Sequence, residues 1–273
     1  MAIKVQRLGL GWEAAIEKRL LDDVEVNLFL LGFRRLHELD QARWYGAVEG
    51  DRVLGLALLV PDRLLVPWCP DPSHAMAIGL HLRTRADPCM LVGPREAGDA
   101  LWEAWAGGHV SPDRFYDQRL YVLRRPPVGD PVPGFRRARM SEWRQIALYS
   151  GVMEDEDLGR NPHHDFPALH ERVVRERVRN GRTWLIVRNR QIVFQINIGT
   201  ALDIGAQIGG TYVPPLHRGL GYATQGTRAL CQHLMDHHPF VSLHVNEANT
   251  PAVRVYEKVG FHRSMPFRLI TIR

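Results

Sequence analysis

The run from Gly209 to Leu234, GGTYVPPLHRGLGYATQGTRALCQHL, holds residues whose spacing could bind an anion. A β-prone stretch, Gly210 to Val213, stops at Pro214-Pro215, because two prolines cannot continue a strand ladder. Arg218, Gly219, Leu220, Gly221, Tyr222, Ala223 and Thr224 follow. Ala223, Thr227, Leu230, Cys231 and Leu234 then recur on one face at the 3.6-residue period of a helix. A strand therefore feeds a glycine-bearing turn that opens a helix. The first-turn N–H groups of a helix have no partner within it and the helix dipole adds to them, so such a turn suits a phosphate ester. Gly219 and Gly221 let the backbone approach a diphosphate without a Cβ in the way. Taken alone, the glycine pair fits equally well a loop that only needs positive φ.

A second run follows at the distance of one helix, LHVNEANTPAVRVYEKVGF, from Leu243 to Phe261. VPPLHRGLGYA and NEANTPAVRVYEKVGF together resemble the two acetyl-CoA-binding motifs of the GNAT superfamily of N-acetyltransferases. The family's Q/R-x-x-G-x-G/A loop is matched at Arg218, Gly221 and Ala223. Its fifth strand and following helix are matched at Asn249, Tyr256 and Gly260-Phe261. The motifs stand in order and at family spacing, and the resemblance covers roughly Phe135 to the C-terminus. It implies acetyl-CoA as co-substrate and an amine as acceptor. It also implies that the backbone of Tyr212 and Val213 pairs with the pantetheine arm, that Asn249 contacts the cofactor, and that Tyr256 protonates the departing thiolate.

Read from the residues, Thr250 caps the last helix and Pro251 is its first residue. Ala252, Val255, Tyr256 and Val259 then share a face, so Tyr256 also fits a core stripe with a bonded hydroxyl. Asn249 fits a turn or cap as well as a cofactor contact. Many GNAT relatives carry a glutamate in the strand GGTYV; none stands there. The candidates for the general base are Glu247, Asp203 and the acidic run Glu154-Asp155-Glu156-Asp157; that run would recognise a cationic amine and relay its proton through water, and a solvated turn is its other reading. His233 and His237 stand four apart and His163-His164 are adjacent, but HLMDH lacks the glutamate of H-E-x-x-H, so no metal is expected. Cys69, Cys89 and Cys231 have no metal or C-x-x-C spacing and none is placed to carry an acyl group.

The elements that must position these residues read as follows. Residues 12–39 form one or two helices, with Gly32 marking a break. Trp44 to Val48 and Val53 to Val60 form a hairpin. Helices from His74 to Leu82 and Glu96 to Ala106 alternate with strands at Cys89 to Val92 and Phe115 to Leu123. This order is similar to that of GNAT, but LLVPWCPDPSHAMA has prolines and an acid where the phosphate loop should be, so residues 1–125 read as a degenerate copy without cofactor. The stretch RRPPVGDPVPG predicts a stiff linker, placed at 126–134. Residues 135–273 read as the catalytic domain. In it Ser141 opens a helix through Tyr149, a loop spans Met153 to Pro167, and Ala168 to Asn180 is helical. A hairpin covers Thr183 to Ile198, Gln207 to Val213 is the strand before the turn, and strand, helix and strand complete the chain. The expected fold class is α/β with mixed, mostly antiparallel sheets flanked by helices, in two tandem GNAT-like domains.

The composition, 45% hydrophobic and 24% charged, is that of a globular chain, and no apolar run reaches the length of a membrane span. The N-terminus has no apolar secretory core, so a cytoplasmic protein with reduced thiols is expected. The net charge of +5 lies in the second half, where scattered arginines without interleaved aromatics suit a solvated face and a multiply charged cofactor better than nucleic acid. The expectation is acetyl transfer to a primary amine by direct attack in a ternary complex. The alternative is a non-catalytic protein that senses acyl-CoA. The tandem arrangement also resembles synthases that acetylate amino-sugar thiols.

Overall fold

The computed structural model describes residues 3–36 and 42–272. Contacts divide the chain into two compact units. One comprises Met1–Val122, His244–Thr250 and Arg263–Arg273, the other Leu123–Leu243 and Pro251–His262.

The first unit opens with a strand absent from the sequence reading, β1 (Lys4–Leu8), then α1 (Glu13–Leu21) and α2 (Val24–Leu36). The break between the helices falls at Asp22-Asp23, and Gly32 is buried inside α2. The buried Asn27 amide donates to Leu20 O at 2.9 Å, tying the second helix to the end of the first. The expected helical residues 37–39 lie outside the described residues. β2 (Arg43–Glu49) and β3 (Arg52–Val60) form the expected hairpin, followed by β4 (Leu64–Trp68), α3 (Pro72–Leu82), β5 (Met90–Pro94), α4 (Arg95–Ala106) and β6 (Pro112–Leu123). Strands β1 to β4 pair antiparallel in sequence order, whereas β4 and β5 are parallel through Leu65↔Leu91. Helices α3 and α4 cover this sheet with Ile78, Leu82, Leu101 and Trp105.

The second unit runs β7 (Phe135–Arg137), a 3-10 turn (Met140–Glu142), α5 (Trp143–Leu158), α6 (Pro162–Asp165) and α7 (Pro167–Arg179). Strands β8 (Thr183–Arg188), β9 (Gln191–Leu202) and β10 (Gly205–Tyr212) follow, then a 3-10 turn (Pro215–His217), α8 (Tyr222–Met235), β11 (Val241–Asn246) and α9 (Thr250–Val259). The strand order is β11-β10-β9-β8-β7, antiparallel except for the parallel pair β10/β11. Ile146, Val174, Val178 and Leu185 pack α5 and α7 on one face of it.

Two readings are corrected here. The helix expected to end at Tyr149 continues to Leu158, so the acidic residues Glu154 to Asp157 are helical rather than a loop, and α6 occupies much of the remaining stretch. The last strand, β12 (His262–Ile272), pairs antiparallel with β5 of the first unit, from Phe267↔Pro94 to Thr271↔Met90. The proline-rich stretch is tied along its length to the second unit. The Gln232 amide donates to Pro127 O and Gly129 O, each at 3.0 Å, and Arg228 donates to Asp130 O at 2.8 Å.

Candidate active site

The turn between β10 and α8 has the form its sequence requires. Gly219 and Gly221 stand at φ 77° and 81°, a region costly for any residue with a Cβ. No atom of the described residues lies within 4 Å of where a Gly219 Cβ would be. The N-cap of α8 is Gly221, with no side-chain cap, and Gln225 N bonds back to Gly221 O at 3.0 Å. The amides of Tyr222, Ala223 and Thr224 precede the first intrahelical bond, so they face outward as donors. The corresponding helix of the first unit, α3, differs. There the Asp71 carboxylate accepts from Ser73 N at 2.9 Å, so an anion of the chain itself caps that helix.

Strand β10 delivers the turn through a bulge. Its ladder with β11 has pairs at Ala206↔Val241 and Gln207↔Ser242, and its register against β9 then shifts twice, between Gln207 and Ile208 and between Gly209 and Tyr212. Gly210 sits in the bulge at φ 61°, and a Cβ there would fall 2.3 Å from Asn197 Nδ2. That amide is fixed, because Asn197 Oδ1 accepts from the buried Thr183 hydroxyl at 2.8 Å. A bulge takes one or more residues out of the ladder and re-aims their backbone groups.

Tyr256 projects from α9 towards this strand and is 7% exposed. Burial pushes its phenol above the ordinary value, the neighbouring Thr211 hydroxyl draws it back, and the charge of Asp157 adds to the rise. Thr211 Oγ1 itself makes no well-formed hydrogen bond among the described residues. The phenol therefore stays protonated through neutral pH.

The sequence-derived carboxylates fall in different places. Glu154 is half-buried on α5. Burial raises its pKa, against the pull of Arg160, His170 and Arg177, with Asp157 adding to the rise. Glu247 belongs to the first unit, where Arg119 Nε and Arg95 Nη2 donate to it at 2.6 and 2.9 Å. Burial works against its ionised form, but these two guanidinium groups outweigh it and the pKa is lowered. Asp203 is exposed at the β9–β10 turn, the end of β10 away from Tyr212, about 25 Å along the strand by its rise per residue. Asn249 lies in the turn before α9, its N–H bonded to Asn246 O at 2.9 Å, and groups with the first unit. His233 packs on the Trp184 ring at 4.7 Å. Among the described residues no group of three His, Cys, Asp or Glu could hold a metal.

Arg218 departs from the simple expectation of a phosphate contact. Its Nη2 donates to both carboxylate oxygens of Glu156, at 2.9 and 2.7 Å, and its Nε donates to Val213 O at 3.0 Å. The sequence reading names Glu156 only within the acidic run and does not single out Thr211 or Asn197. Gly209-Gly210 inside a strand was a legible sign of the bulge. A cleft of about 460 Å³ beside the proline-rich stretch, lined by residues such as Arg125, Pro126, Val259 and His262, includes none of these site residues.

The second unit thus brings together an uncapped helix N-terminus on a glycine turn, a bulged strand leading into it and a protonated phenol beside that strand. Residues 199–267 match the family model of FR47-like protein. Mycothiol acetyltransferase of Mycolicibacterium smegmatis is 28% identical, over 93% of this chain and 94% of that protein. An acetyltransferase of the GNAT family from Colwellia psychrerythraea superposes with a TM-score of 0.63 at 11% identity, over 99% of this chain and 100% of that one. A tandem GNAT protein from the clavulanic acid biosynthesis pathway gives 0.59 at 15% identity, over 99% and 98%. The chain has the fold of the GNAT acetyltransferases, including one built as a tandem GNAT protein.

Proposed function

We propose that the protein transfers an acetyl group from acetyl-CoA to a primary amine by direct attack within a ternary complex, at a site in the second unit. The observation that carries this reading is the uncapped N-terminus of α8 behind Gly219 and Gly221, next to the β10 bulge and Tyr256. In this reading the amides of Leu220 to Thr224 hold the diphosphate, and the backbone of Tyr212 and Val213 lines the pantetheine arm. The neutral amine attacks the thioester carbonyl carbon. As the C–S bond breaks, Tyr256 gives its proton to the sulfur, and the proton lost by the ammonium leaves through a base. Of the three carboxylate candidates, Glu154 fits the base best, because burial raises its pKa whereas the arginines lower that of Glu247. Direct attack is favoured over an acetyl-cysteine. Burial pushes the Cys231 thiol far up, and that of Cys69 to about 12, so neither forms a thiolate readily.

The first unit is proposed to hold no cofactor. Its helix α3 is already capped by Asp71, and a Cβ on Gly93 of β5 would fall 2.8 Å from Pro67 O of β4, so those strands leave no gap there. Calorimetric titration with CoA should therefore give one site per chain. Two equivalent sites would contradict this division of labour, and no binding at all would contradict the reading as a whole. One observation favours the sensor reading: the strand Gly209 to Tyr212 carries no carboxylate. Amine-dependent turnover separates the two.

The relative's name, mycothiol acetyltransferase, refers to mycothiol. For this chain the proposal stays at the class of primary amines.

A further inference from the structure

The contact made by Arg218 has a chemistry of its own. Besides its bond to Glu156, the guanidinium lies 5.6 Å from the centroid of the Tyr212 ring. The Tyr149 ring lies 5.4 Å from that of Tyr212, and its hydroxyl accepts from Gln145 Nε2 at 3.0 Å. Gln145, Tyr149 and Glu156 fall on one face of α5 at i, i+4 and i+11, so one helix presents both a carboxylate and an aromatic ring to the end of β10. A carboxylate beside aromatic faces is a receptor for a cation, and here a cation of the chain fills it.

The arrangement is only loosely held. The Arg218 and Glu156 side chains are 48% and 44% exposed, and ion pairs that open to water contribute little. Arg218 is also the residue at which the phosphate turn begins, so ordering of that turn around a diphosphate bears directly on where its side chain rests. The next residue of α5, Asp157, is the one whose charge reaches the Tyr256 phenol.

We propose that Glu156, with the rings of Tyr149 and Tyr212, is a subsite for a second positive charge on the acceptor, and that Arg218 stands in for that charge until the acceptor arrives. This rests on the proposed acetyl transfer and narrows its acceptor to amines bearing a further ammonium or guanidinium group. The amine that reacts must lose its proton before attack, whereas the remote group keeps its charge and is read by Glu156.

The test compares 1-aminopentane with 1,5-diaminopentane, which share a carbon chain and differ in the second ammonium. Binding of each to the CoA-loaded protein is measured by calorimetry, and acetylation by acetyl-CoA is measured alongside. The diamine is expected to bind about tenfold or more tighter, the scale of one desolvated cation–aromatic contact aided by a carboxylate. In Glu156→Gln that preference should shrink to about twofold or less, with the change in turnover carried by KM rather than kcat. In Arg218→Gln, which removes the competing cation, the preference should widen. Equal binding of the two amines to the wild type, or a preference that survives Glu156→Gln, would overturn the proposal. Glu156-dependent binding of the diamine without acetylation of either amine would uphold the subsite and count against acetyl transfer.

Discussion

Replacing Gly221 by valine is expected to weaken binding of CoA well over tenfold, more than 1.4 kcal/mol. Two effects add. The residue is held at φ 81°, where a β-branched side chain is strained, so the turn would shift to relieve it. The shift would move the amides of Tyr222, Ala223 and Thr224 from the positions that receive the diphosphate, and the helix N-terminus loses its aim. The loop is exposed and lies outside the core, so the variant should fold, with loss of thermal stability limited to the strain of one residue, about 1–3 kcal/mol. Calorimetry with CoA together with a melting curve checks both. Unchanged affinity in a folded variant would move the cofactor away from this turn.

Tyr256→Phe is expected to lower kcat by at least tenfold while CoA affinity holds. General acid catalysis is typically worth roughly 10²–10⁴ in rate, and water can replace part of it. Phenylalanine keeps the ring in its place with Val253 and Val259 on the buried face of α9, so the hydroxyl alone is tested. The pH profile adds a second readout. A phenol raised above its ordinary value of about 10 stays protonated across the neutral range, so loss of its proton should lower the wild-type rate on the alkaline side. If Glu154 is the base, its raised pKa places the acid limb above the ordinary carboxylate value of about 4.3, with rate rising as pH rises through it. A loss of about 1 kcal/mol in stability with kcat unchanged would show the hydroxyl to be structural.

The parts of the site legible in the sequence are those fixed by local stereochemistry. Pro214-Pro215 had to end a strand, Gly219 and Gly221 had to sit in a turn, and the stripe from Ala223 to Leu234 had to be a helix. What escaped was decided by distant partners. Ser150-Gly151 discourages a helix locally, yet α5 runs through it. A Cβ on Gly151 would lie 2.5 Å from both Asn161 Oδ1 and His163 Cβ, so close packing of α6 requires the glycine inside the helix. With α5 cut short, Glu156 was read as part of a loop and its meeting with Arg218, 62 residues on, was out of reach. The pairing of β12 with β5 is likewise invisible to local patterning, since Phe267 and Pro94 are brought together only by the finished sheet. Glu247 was a reasonable candidate base by its place beside the second motif. Nothing local announces that Arg95 and Arg119 hold it ionised.

The central claim is that an amine takes the acetyl group at the second unit, and release of free CoA thiol from acetyl-CoA with and without an amine panel tests it most directly. The account predicts slow release alone, much faster release with an accepted amine, and one acetylated amine by mass spectrometry for each thiol freed. Tight binding of acetyl-CoA with no amine able to speed thiol release would contradict it, and the protein would then be a sensor of acyl-CoA.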